Sequence, residues 1–175
     1  SVQKGIDQLP NRVRRIAQQF ADLGAVQSPA FLGTTALYNA RHEHAGRAVN
    51  TAMIALGMAR QITDDKRLLA RVALACLLYD VGVPRVFGTG PLGDDQVGLN
   101  MPNLIDDHYP ELPAATAVVT TQLGGMSAVS KTTTVLIFEA IHVARHDVIE
   151  KPYAGIRAPT MEARIIAVAR RFNEF

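Results

Sequence analysis

The stretch LLARVALACLLYDVGVP, residues 68–84, decides the fold. Its apolar residues run at helical spacing, and toward the end nearly every side is apolar. The reading is a helix from about Asp64 to Tyr79, with Asp64 or Asp65 as its cap and with Gly82 and Pro84 ending it. A helix so apolar toward its end belongs at the centre of its domain, so other helices must surround it.

Working outward, the residues before it supply two such partners. Val13, Ile16, Ala17, Phe20 and Leu23 recur at helical spacing behind Pro10, which reads as a first-turn proline, and Gly24 follows as a stop. Ser28 and Pro29 read as a cap and the start of further helix. From about Thr35 to Gln61, the residues Ala45, Ala48, Val49, Ala52, Met53, Leu56 and Ala59 give a long helix with a small-residue face, suited to close packing. Beyond Pro84, residues 85–110 are punctuated by Gly88, Gly90, Pro91, Gly93, Gly98, Pro102 and Pro110 and read as an irregular loop. A helix starts at Pro113 and ends near Gly124 and Gly125. Another runs from Lys131 to His146, and a second loop holds Lys151, Pro152, Gly155 and Pro159. Thr160, with Ala163 behind it, opens the last helix. There is no strand series and no internal repeat. The expected architecture is an all-α bundle of about six to eight helices with two irregular loops.

The totals agree with one compact unit. A chain of 175 residues, 48% hydrophobic, can build a core without disulfides or a structural metal. The lone Cys76 sits in an apolar run and reads as an inert buried thiol, which fits a reducing, cytoplasmic setting. No apolar run approaches the roughly 20 residues of a membrane helix, so membrane insertion is not expected. The net charge of +2 gives no general pull toward nucleic acid. The one dense basic cluster, Arg12, Arg14 and Arg15, lacks interleaved aromatics and reads as a solvated helix face. No P-loop, dinucleotide fingerprint or paired-cysteine metal site is present. The chain starts at Ser1 without methionine, so it is expected to be a piece of a larger protein.

Chemistry is carried by a few polar residues at helix ends or on apolar faces. His44 lies on the long helix, Asp80 ends the apolar helix, and His108 sits in DDHYP. Imidazoles and a carboxylate from separate helices are what a bundle uses to hold a divalent metal on a phosphate substrate. The same three residues are equally read as ordinary hydrogen-bonded or surface groups. Glu139, His142 and His146, at spacings of three and four, can share one helix face, with Asp147 adjacent. They form a second candidate metal cluster or a polar stripe near a helix C-terminus. His42 reads as a surface or hydrogen-bonded group.

The order of these segments resembles the HD superfamily, in particular its HD-GYP branch, whose active members hydrolyse cyclic di-GMP. HAGRAV at 44–49 resembles the first histidine motif, with His44 in a ligand position. LACLLYDVGVP at 74–84 resembles the His-Asp motif, with Tyr79 in the histidine position, Asp80 retained, and Val83 where the catalytic lysine belongs. HYPEL at 108–112 resembles the next histidine motif, with His108 retained. VLIFEA at 135–140 resembles the paired-histidine segment, with Ile137 and Phe138 in the histidine positions and Glu139 remaining. PYAG at 152–155 is a remnant of the Gly-Tyr-Pro motif. ARIIAVARRFNEF at 163–175 resembles the final helix, with Arg170 and Asn173 in place of aspartates.

The resemblance covers about residues 35–175, which implies an HD-GYP-like domain there and a helical extension packed on it at 1–34. It implies a vestigial metal site made of His44, Tyr79, Asp80, His108, Glu139 and Arg170, with no catalytic residue and no cofactor expected. Arg170, always protonated and able to grip a carboxylate, is the candidate to replace the metal by pairing with Asp80; the alternative is that it reaches to solvent. The function expected is a catalytically inactive regulatory or protein-interaction module, with a protein partner or an adjacent domain. Two alternatives stand beside it. One is a divergent phosphodiesterase using manganese or iron at His44, Asp80 and His108. The other is cyclic di-GMP binding without cleavage, through residues 85–110, Arg85 and Arg157.

Overall fold

In a computed structural model of the chain, residues 2–23, 43–83, 86, 111–125, 129–146 and 158–173 are described; within these, nothing is said of side chains at 2–10, 23, 43–45 and 145–146. The described residues form an all-α bundle: α1 (Val2–Leu23), α2 (Glu43–Arg60), α3 (Lys66–Leu77), α4 (Leu112–Gly125), α5 (Lys131–His146) and α6 (Met161–Phe172), with no strand among them. The expected loops at 85–110 and 151–159 fall almost wholly outside the described residues, as do residues 24–42.

The apolar helix is the hub. α3 packs against α1, α2, α5 and α6, while α4 packs on α5 and α2 packs on α6. Leu69, Val72, Ala73, Leu74, Ala75 and Cys76 of α3 are buried. They meet Ala17 and Ala21 of α1, Ala52, Leu56 and Ala59 of α2, Ile137 and Ile141 of α5, and Ile166 and Ala169 of α6 in one core. Alanine on α1, α2 and α6 lets those helices approach α3 closely, so the small residues carry the geometry.

Local signals explain three of the six helix starts. Asp65 is the N-cap of α3, its carboxylate accepting from the Arg67 N–H at 2.8 Å. Ser130 Oγ accepts from the Thr133 N–H at 3.1 Å and starts α5. Thr160 Oγ1 accepts from the Ala163 N–H at 3.3 Å and starts α6. The start of α1 differs from expectation. Pro10 is not a first-turn residue, because the helix begins at Val2 and runs through it. A proline removes one donor and crowds the preceding turn, a cost of about 3 kcal/mol that bends or weakens a helix without always ending it.

After α3 the chain turns sharply. Tyr79, Val81 and Val83 donate backbone hydrogen bonds to the carbonyls of Cys76, Leu78 and Asp80. This turn packs directly on α4. A Cβ at Gly82 would lie 2.5 Å from the backbone nitrogen of Thr116 and 2.7 Å from its Cα, so only glycine fits there.

Candidate functional site

The turn after α3 and the last two turns of α6 face each other, and there the described polar residues converge. Arg170 is on α6, one turn after Ile166, and its side chain is only 1% exposed. The reading in which it reaches to solvent is therefore excluded. Its Nη2 donates to Asp80 Oδ1 at 2.9 Å, and the Asp80 side chain is 11% exposed. The guanidinium also lies over the Tyr79 ring, 5.1 Å from its centroid. One cation is thus held by a carboxylate on one side and an aromatic face on another. Tyr79 stacks on the cation and offers no imidazole. Asp80 Oδ2 is buried and accepts no hydrogen bond.

Cys76, one turn before Asp80, belongs to the same neighbourhood. Burial pushes its thiol well above its ordinary ionisation range, against a smaller downward pull from the Arg170 charge. It is a buried thiol with no nucleophilic character at neutral pH.

Glu139 on α5 is fully buried, and its carboxylate is engaged elsewhere. Oδ chemistry at Asp80 is matched by Oε chemistry here: Glu139 Oε2 accepts from the Thr160 hydroxyl at 2.8 Å and from the Thr160 N–H at 3.2 Å. It therefore ties the start of α6 to the middle of α5, a partner the sequence reading did not assign. A buried glutamate 21 positions before a capping threonine has no periodic signature; the signal available was that Glu139 stands among Ile137, Ala140 and Ile141 and needs a donor.

Asn173 has a structural part as well. Its Nδ2 donates to the Arg47 carbonyl at 3.1 Å and to Thr51 Oγ1 at 3.3 Å, joining the end of α6 to α2. Arg171 donates from Nε and Nη2 to the Ala144 carbonyl at 3.0 and 2.6 Å, joining α6 to the end of α5. Arg170, Arg171 and Asn173 thus each bond the end of α6 to another element of the bundle.

Ile137 is buried and Phe138 half-buried on α5. His44 lies on α2, but its side chain is outside the described residues, and His108, Arg85 and Arg157 are wholly outside them. Of the second cluster, Glu139 is spent on Thr160, His142 is half-buried, and the His146 side chain is not described, nor is Asp147. A fully buried, bonded Glu139 is not part of an exposed polar stripe. Among the described residues no group of three His, Cys, Asp or Glu side chains is placed to hold a metal.

This donor set is a poor fit to a divalent cation. An ion at Asp80 would share its ligand with a guanidinium 2.9 Å from Oδ1, and the like charges would repel in a site of low dielectric. Tyr79, Ile137 and Phe138 add no imidazole. No helix among the described residues is long and apolar enough to cross a membrane. No protein-family model, curated protein or solved structure matches the chain.

Proposed function

We propose that the chain is a degenerate HD-GYP-like domain that does not hydrolyse cyclic di-GMP and serves as a regulatory or protein-interaction module. The observation that carries the reading is the Arg170–Asp80 pair. The carboxylate of the His-Asp-like motif is bound by a buried arginine from the helix that resembles the family's last ligand helix. The arginine takes over the ion's electrostatic task of holding two helices together and offers no Lewis acid and no activated water. Tyr79 over the same guanidinium makes the replacement a packed unit.

A contact role is supported by the outer face of α6. Met161, Val168 and Phe172, at spacings of seven and four, are all exposed, with Phe172 at 69%. An apolar stripe on an otherwise engaged helix suits contact with another domain or protein.

The test is hydrolysis. The purified chain is incubated with cyclic di-GMP and manganese or iron, and the linear and mononucleotide products are followed by chromatography. The reading predicts no turnover above buffer. Turnover abolished by a chelator would establish the divergent phosphodiesterase instead.

A further inference from the structure

Away from the Asp80 site, a recess of about 650 Å³ lies between α1, α3 and the start of α5. Its polar lining is Arg14 and Gln18 of α1, Arg67 and Arg71 of α3, and Ser130 and Thr133 at the start of α5. Arg14 and Gln18 are four apart, as are Arg67 and Arg71, so each pair shares one face of its helix. Among the described residues no carboxylate lines the recess, and Asp22 lies in an adjoining hollow that shares Gln18, Arg67 and Ala70 with it. Ala17, Ala70, Leu74 and Val129 supply its apolar lining.

Arg14 and Arg67 are exposed. Arg71 gives Nη2 to Glu162 at 3.0 Å, while its Nε is buried without a hydrogen-bond partner. The helix ends add to the charge. α5 begins at Lys131 and α3 at Lys66, and neither has an acidic residue in its first turn. At α3 the Asp65 cap and the Asp22 partner of Lys66 offset this charge; at α5 the cap is the neutral Ser130, which lines the recess.

We propose that this recess binds a phosphate ester of small-molecule size. The volume is that of a small-ligand pocket. Guanidinium forks match phosphate oxygens bidentately, and Gln18 together with one of the Ser130 and Thr133 hydroxyls, which bond each other at 2.9 Å, supplies neutral donors beside them. Arg14 of α1 and Arg67 of α3 grip the anion, and Arg71 is held by Glu162. The site is independent of the Asp80–Arg170 pair and stands whether or not the chain hydrolyses a cyclic dinucleotide. It would give a non-hydrolytic module its ligand.

The probe is inorganic pyrophosphate, titrated calorimetrically into the whole chain at low salt. Binding is expected, weakening as salt rises. Arg14→Gln and Arg67→Gln, both at exposed positions, are each expected to weaken it by about tenfold. Arg12→Gln with Arg15→Gln, on the same helix but outside the recess, is expected to leave it unchanged. Co-sedimentation with phosphatidylcholine–phosphatidic acid vesicles distinguishes a lipid headgroup from a free ester, and the free ester is expected. No binding of pyrophosphate, or equal loss in the Arg12/Arg15 variant, overturns the proposal.

Discussion

Replacing Arg170 with methionine removes one charge from a pair whose side chains are 1% and 11% exposed. Methionine keeps most of the aliphatic volume, so the loss is chiefly electrostatic. Two unit charges in contact attract by about 4 kcal/mol at an effective dielectric of about 20. Deleting one member also leaves Asp80 charged, nearly buried and without its donor, and such deletions cost about 3–5 kcal/mol. Loss of the stack on Tyr79 adds about 0.5–1 kcal/mol. Because part of Asp80 reaches water, the lower end applies, and Arg170→Met is expected to cost about 3 kcal/mol. For a domain of this size that lowers Tm by about 6–12 °C. Chemical denaturation of wild type, Arg170→Met, Asp80→Asn and the double variant closes a cycle. A coupling energy of about 2 kcal/mol is expected, the double variant being little worse than either single one. Coupling below about 0.5 kcal/mol, or an Arg170→Met protein as stable as wild type, would refute the reasoning.

Other outcomes follow from neighbouring contacts. Thr160→Ala removes the α6 cap and one donor to buried Glu139, and is expected to cost about 2–3 kcal/mol in urea unfolding, whereas Thr160→Ser costs under about 0.5 kcal/mol. Gly82→Ala drives a Cβ into the Thr116 backbone; a loss of about 1–3 kcal/mol is expected, and an unchanged Tm would mean that the turn and α4 are not in contact. Cys76 resists thiol reagents in the folded chain and reacts on unfolding. Its folded ionisation is raised while the unfolded thiol ionises near pH 9, so its contribution is present below that pH and is lost as pH rises above it. Stability should therefore fall faster above pH 9 in wild type than in Cys76→Ala, as read from paired denaturation curves.

Much of the fold is legible because its causes are local. Asp65 and Thr160 each signal a helix start through their own side-chain chemistry, and the apolar run toward the end of α3 signals its central place. Pro10 misleads for the same reason: a local rule read it as a boundary, while the helix continues upstream of it. The site is less legible because its contacts are long-range. Nothing in periodicity links Asp80 to Arg170, 90 positions away, or Glu139 to Thr160; the first contact is suggested only by the HD-GYP-like order of segments, the second only by the need of a buried carboxylate for donors. The basic recess was hidden for another reason. Arg12, Arg14 and Arg15 look alike in the sequence, and only the packing of α1 on α3 separates Arg14, which lines the recess, from the other two.

The central claim is that Arg170 stands where an ion would otherwise bind Asp80. Elemental analysis of the purified chain, incubated with manganese and iron and then desalted, tests it most directly. The account predicts metal near zero per chain. One or more tightly held ions per chain would contradict it.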